Sequence, residues 1–228
     1  MVSKKNKLNS FPRRQRKTSN EPSIKGNIVL IFSLIFLVLF FITFTLMKAS
    51  FFQKTDDLIN SYFSTSSNIF LTKSCLFLAF IFDPLSVIVV SLIIFLFLFF
   101  AKFKKDSLFF LGASLFGGAL IFLFKELFQR VRPENLYESG FSFPSGHVTS
   151  SIVLFCCLVY FSFKYARKNY PYIITAFALF FIFIIAFSRI YLGVHWISDV
   201  IGGLFLGGFV VLFSIYLFEL RGIFNGHS

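Results

Sequence analysis

IVLIFSLIFLVLFFITFTLM, residues 28–47, runs for 20 residues without a formal charge. At about 1.5 Å per residue such a helix is about 30 Å long, the thickness of a bilayer's hydrocarbon core. A basic stretch precedes it, so a signal peptide is the competing interpretation. The apolar core is too long for one and no A-x-A-like cleavage site follows, so Ile28 to Met47 reads as a retained first membrane helix.

The composition agrees. Of 228 residues, 57% are hydrophobic and 39 are Phe, while only 14% are charged. Soluble domains carry roughly a quarter charged residues, and one this apolar would leave large patches wet. An ordinary soluble enzyme, a disordered chain and a secreted disulfide scaffold are excluded. Cys75, Cys156 and Cys157 lie in or beside apolar stretches and read as small hydrophobes.

Further apolar runs at Leu85 to Ala101, Leu108 to Phe124, Val148 to Phe163, Tyr172 to Phe187 and Val200 to Phe218 complete a predicted all-α bundle of six spans. Several are short, so flanking Lys, Arg and Tyr are expected to snorkel. The segment Leu76 to Phe82, ending at Asp83-Pro84, either extends the second helix beyond a kink or lies on the membrane surface. Residues 1–26 read as a disordered basic tail, 27–220 as the membrane domain and 221–228 as a short second tail.

Charge orients the spans. Fifteen of the 22 Lys and Arg residues fall in the N-terminal tail, in the connections around Lys102 to Lys105 and Lys164 to Lys168, and at Arg221. These segments share one side of a six-span layout, and the positive-inside rule makes that side cytoplasmic. Both termini are thus expected in the cytoplasm of a cell that carries the protein in its inner membrane. The basic tail is a topology signal with weak anionic-lipid contacts rather than a nucleic-acid site.

The informative polar residues fall on the opposite side. Lys125-Glu126-Leu127-Phe128-Gln129-Arg130-Val131-Arg132-Pro133 ends the third span. Pro144-Ser145-Gly146-His147 opens the fourth. Ser188-Arg189-Ile190-Tyr191-Leu192-Gly193-Val194-His195-Trp196-Ile197-Ser198-Asp199 joins the fifth to the sixth. Any one has a bland explanation: Lys125 or Arg132 as a snorkelling cation, Pro144 to Gly146 as a turn, His195 and Asp199 as a structural i, i+4 pair. Ionisable groups at membrane ends are costly unless paired, solvated or functional. Three cations, two His and one Asp on one side point to a single site.

Their chemistry suits a phosphate ester. Lys125, Arg132 and Arg189 would neutralise a phosphoryl group, the arginines with bidentate donors. Ser145 and Gly146 place backbone N–H groups at a helix N-terminus, favourable for an anion. One histidine can attack phosphorus and the other protonate the leaving oxygen. The residues alone leave the nucleophile open between His147 and His195, although Asp199 at i+4 favours His195. No Asp/His cluster has metal-ligand spacing in the sequence, so neither a metal nor another cofactor is expected.

Lys125-x6-Arg132-Pro133, Pro144-Ser145-Gly146-His147 and Ser188-Arg189-x5-His195-x3-Asp199 together resemble the three-part signature of the type 2 phosphatidic acid phosphatases. That family comprises integral-membrane lipid phosphatases and relatives with the same site. The resemblance implies that His195 forms a phosphohistidine, that Asp199 is its partner and that His147 is general acid and then base. It implies that Lys125, Arg132, Ser145, Gly146 and Arg189 hold the phosphoryl group. The expected substrate is a membrane lipid phosphate or pyrophosphate, with undecaprenyl pyrophosphate and phosphatidylglycerol phosphate foremost, hydrolysed at the extracytoplasmic ends of the helices. Lipid A dephosphorylation or phosphotransfer between lipids would use the same site. A phosphate-binding transporter is the non-enzymatic alternative, disfavoured because binding needs no nucleophile. A haloperoxidase is disfavoured by the hydrophobicity.

His227, near the C-terminus, reads as solvated and Trp196 as interfacial. Gly203 and Gly207 read as close packing within one chain. Arg130, Glu134 and Glu138 read as hydrated loop charges, with some scope to bias substrate choice.

Overall fold

The computed structural model describes residues 24–65, 68–134 and 137–220. Of the expected tails 1–26 and 221–228, residues 1–23 and 221–228 with His227 lie outside the described residues, and residues 24–26 already belong to the first helix. The described residues form eight α-helices: α1 (Ile24–Lys48), α2 (Gln53–Thr65), α3 (Ile69–Ile81), α4 (Pro84–Phe100), α5 (Lys104–Phe128), α6 (Gly146–Tyr165), α7 (Tyr170–Tyr191) and α8 (Ile197–Ile215). A π-helical turn, Tyr216–Leu220, continues α8.

Helices α1, α5, α6, α7 and α8 are each long and apolar enough to cross a membrane. The pair α3 and α4 meets that test jointly, bent by 49° at its break. The six-span expectation therefore holds only with the second span broken in two. Leu76 to Ile81 ends α3, and α4 restarts at Pro84, which needs no N–H donor at a helix start. The Asp83 side chain accepts the Leu85 N–H at 2.9 Å, capping α4.

Helix α2 has no counterpart in the six-span expectation. Gln53–Thr65 has no apolar run, but its Phe63 ring packs against Phe187 and Tyr191 of α7. Asp56 on the same helix is buried.

Helix α8 packs against α1 and α6. A Cβ at Gly207 would stand 2.8 Å from Ile152, and one at Gly203 would stand 3.0 Å from the Ser145 carbonyl. These glycines therefore bring α8 against α6 within the chain. In lipid, where burial of apolar surface gains little, such close approach supplies the dispersion contacts that hold helices together. Phe143 is fully buried just before α6, stacked on Phe40 at 5.5 Å and tilted against Phe128 at 5.7 Å. Aromatic pairs of this kind contribute about 0.5–1.5 kcal/mol each beyond area burial. They anchor the connection that carries the site.

Candidate active site

Four helix ends meet at one end of the bundle. Lys125 is in the last turn of α5 and Arg189 in the last turn of α7. Gly146 and His147 begin α6, and Asp199 is in the first turn of α8. Gln129 turns the chain out of α5 through a left-handed backbone conformation, φ 48°, and sends Arg130 to Pro133 across the bundle end. Gly193, at φ 62°, does the same after α7, where a side chain would be strained. His195 follows in that connection.

All eight residues singled out as site candidates are brought together. The Asp199 side chain accepts the Trp196 N–H at 2.9 Å, capping its own helix, and the same oxygen stands 3.3 Å from His195 Nδ1. That contact favours a proton on Nδ1, leaving the lone pair on Nε2, on the Arg132 side of the ring. Arg132 reaches His195 Nε2 at 3.2 Å and donates to the Val194 carbonyl at 2.7 Å. Arg189, fully buried, approaches His147 Nε2 at 3.4 Å and donates to the Ser188 hydroxyl at 3.2 Å. Lys125 donates to the Phe141 carbonyl at 2.8 Å.

Ser145 is buried, its N–H donates to the Asp199 carbonyl at 3.1 Å, and its hydroxyl has no partner among the described residues. A buried hydroxyl without a partner costs about 1–3 kcal/mol, so this one suits a ligand oxygen. Gly146 allows a close approach to α4, since a Cβ there would stand 3.0 Å from the Pro84 ring.

Burial holds the His195 imidazole well below its ordinary value, with Arg132, Lys125 and Arg189 acting in the same direction. Burial also lowers the Arg132 guanidinium, against which Glu138 acts.

Two charges that read as hydrated are part of this centre. Glu138 bridges the arginines, Oε1 to Arg189 at 2.8 Å and Oε2 to Arg132 at 2.9 Å. Its oxygens also stand 3.8 Å from His147 Nδ1 and 3.9 Å from His195 Nε2. Arg130 donates to Asp199 at 2.5 Å and to Asp56 at 2.7 Å, with its guanidinium over the Trp196 ring. Neither role was legible locally: Glu138 sits in an irregular loop, and the partners of Arg130 lie 69 and 74 residues away. Glu134 is exposed, as expected. Trp196 is half-buried, its indole N–H on the Val131 carbonyl at 3.0 Å.

Glu138, His147 and His195 offer ligand atoms within 4.8 Å of one another, a grouping that sequence spacing could not reveal. Arg132 and Arg189 engage both oxygens of that carboxylate. Two guanidiniums on the only acidic member make the centre suited to an anion rather than a metal cation.

A pocket of about 590 Å³ opens in front of these groups, lined by Lys125, Arg132, Glu138, Gly146 and His147 and by Ala79 to Pro84 at the α3–α4 break. Phe80 and Leu85 beside it are exposed on the apolar outer surface. The arrangement can hold a tetrahedral anion between two imidazoles while an attached apolar chain lies along the bundle.

The profile of the family described as the PAP2 superfamily matches residues 106–223. Among characterised proteins, the chain is 38% identical over 91 residues to phosphatidylglycerophosphatase B of Bacillus subtilis, covering 36% of this chain and 43% of that one. It is 30% identical over 151 residues to the lipid A 4'-phosphatase of Porphyromonas gingivalis, covering 58% and 61%. The matches thus span about half the length of these relatives. Among solved structures, a transmembrane PAP2-type phosphatidylglycerolphosphate phosphatase from Bacillus subtilis superposes with a TM-score of 0.74 at 24% identity, covering 80% of this chain and 94% of that one. LpxE of Aquifex aeolicus superposes with a TM-score of 0.52 at 25% identity, covering 72% and 93%.

Proposed function

We propose, from the premise that this chain belongs to the PAP2 superfamily, that it is a multi-pass membrane phosphatase cleaving a lipid phosphate or pyrophosphate. The observation that carries this is the Glu138 carboxylate, held between Arg132 and Arg189 and facing both imidazoles. It marks where a phosphoryl group would take the same N–H donors.

In the proposed reaction, His195 Nε2 attacks phosphorus as the bond to the lipid oxygen breaks. Imidazolium His147 gives its proton to that oxygen, and Asp199 stabilises the positive charge on His195 through Nδ1–H. His147, now neutral, takes a proton from water. The water oxygen bonds phosphorus, the N–P bond breaks, and inorganic phosphate leaves. Lys125, Arg132 and Arg189 stabilise the charge on the equatorial oxygens, and the Ser145 hydroxyl and Gly146 N–H supply neutral donors.

Phosphatidylglycerol phosphate and undecaprenyl pyrophosphate are the foremost substrates, and the similarity to a lipid A 4'-phosphatase supports lipid A as the next. The distribution of positive charge supports an extracytoplasmic site, with both termini cytoplasmic. The test is phosphate release by purified protein from a panel of these lipids, with EDTA present. Release that survives EDTA and is blocked by vanadate, a mimic of five-coordinate phosphorus, is expected. No release from any lipid would overturn the proposal, and transfer to a second lipid without release would replace hydrolysis by phosphotransfer. Impermeant labelling of cysteines placed at Glu134 and Lys104, in a background lacking Cys75, Cys156 and Cys157, tests the orientation: Glu134 should label in intact cells and Lys104 only after permeabilisation.

A further inference from the structure

Asp199 uses its two oxygens differently. One accepts the Trp196 N–H and faces His195 Nδ1; the other is held by Arg130 at 2.5 Å. Arg130 is fixed in turn. Its second terminal nitrogen donates to Asp56 of α2 at 2.7 Å, and its first also donates to the Ser198 hydroxyl at 2.7 Å. Asp56 accepts twice more from α8, from the Ser198 N–H at 3.1 Å and the Ser198 hydroxyl at 2.6 Å. Asp56 and Asp199 are both buried, at 2% and 0% exposure, so each needs a cation or several donors to remain there as a carboxylate. A single guanidinium, gripped by both, serves the two at once.

We propose that Arg130 and Asp56 are positioning residues for the reaction, a clamp from α2 that locks the Asp199 carboxylate so that its other oxygen faces His195 Nδ1. This rests on the proposed phosphohistidine chemistry. The planar fork of Arg130 joins two carboxylates at fixed angles. A carboxylate fixed at one oxygen has little freedom to rotate, so the Nδ1–H tautomer, and with it the Nε2 lone pair, is held before substrate arrives. Arg130 and Asp56 line a separate cavity beside Trp196, not the pocket that His147 lines. Asp56 also lies outside the stretch matched to the family, residues 106–223. The site as folded therefore draws on an amphipathic helix that the signature does not contain.

Arg130→Gln and Asp56→Asn, each purified as the full chain, should lower kcat about 10–100-fold, as residues that orient a reacting imidazole do. KM and vanadate affinity should stay within about twofold, because the phosphate contacts are untouched. Arg130→Lys, which keeps the charge but not the fork, should fall between. The deciding readout is independent of turnover: nitrogen NMR of histidine-labelled protein, with the His195 signal assigned by its loss in His195→Ala. Wild type should show one neutral Nδ1–H tautomer and Arg130→Gln a mixture. The imidazole faces Asp199, Arg132, Lys125, Arg189, Glu138 and His147, all unchanged in these variants. An unchanged His195 tautomer in both variants, or KM rising at constant kcat, would overturn the clamp. A wild type that releases no phosphate from any lipid would overturn the phosphatase, while the tautomer comparison would still test the clamp.

Discussion

The same helices carry a buried polar cluster at each end, and the two are balanced differently. At the end opposite the site, Asp106 of α5 is buried and pairs with Lys164 of α6 at 2.7 Å, with the Tyr165 hydroxyl donating to its second oxygen. One carboxylate meets one ammonium and one hydroxyl, and the group is complete. At the site end, Lys125, Arg132 and Arg189 face two acids, Glu138 held between the arginines and Asp83 on the pocket wall, and the Ser145 hydroxyl lacks a partner among the described residues. The first cluster joins two helices. The second has a cation and a donor to spare, the condition for taking up an anion.

Changes at the two ends should therefore act on different quantities. The largest effect is expected for His195→Ala, with no acid-labile phosphoenzyme and no turnover, followed by Asp199→Asn at on the order of 10²–10⁴ in rate. Initial rates and acid-quenched phosphoenzyme measure both, and normal turnover in His195→Ala would remove the proposed nucleophile. Next, Arg189→Lys should cost about 10²-fold in kcat/KM, because an ammonium cannot reproduce the fork that spans Glu138 and His147. Near-native kinetics would mean that charge alone is what the site requires.

A third effect is a pH shift. The His195 imidazole is held well below its ordinary 6.5 by burial, with Arg132 next. The neutral form attacks, so kcat should persist as pH falls through 6.5 and fail only in stronger acid. Arg132→Gln removes a cation, raises the imidazole and moves the acid limb to higher pH; an unmoved limb would assign it to another group. The same depression makes the folded state bind fewer protons than the unfolded chain. The contribution of His195 to stability is therefore present above 6.5 and lost as pH falls.

At the opposite end, Lys164→Ala should lower stability by about 1–3 kcal/mol, because it strips the buried Asp106 of its cation. Turnover per folded molecule should stay unchanged. Thermal unfolding beside kcat checks this, and a loss of kcat at constant stability would erase the contrast between the ends. The smallest effect is expected for Glu138→Gln. Relieving an acid that competes for Arg132 and Arg189 should lower KM by about 2–10-fold; a raised KM would make Glu138 a substrate contact instead.

The helical class, the apolar spans and the eight signature residues were legible in the sequence, because each depends on local properties. A 20-residue charge-free run has no other comfortable solvent than lipid, and Asp199 four residues after His195 meets it on the first turn of α8. What only the tertiary structure decided is how distant segments share charge. The fold broke the second span at Asp83-Pro84, where the chain opens a pocket, and docked α2, whose mixed face gives no apolar run to detect. It carried Glu138 between two arginines and clasped Arg130 between Asp56 and Asp199. A loop charge in the sequence is indistinguishable from a hydrated one. Its meaning depends on which buried partners it meets, and those are fixed by the packing of helices far apart along the chain.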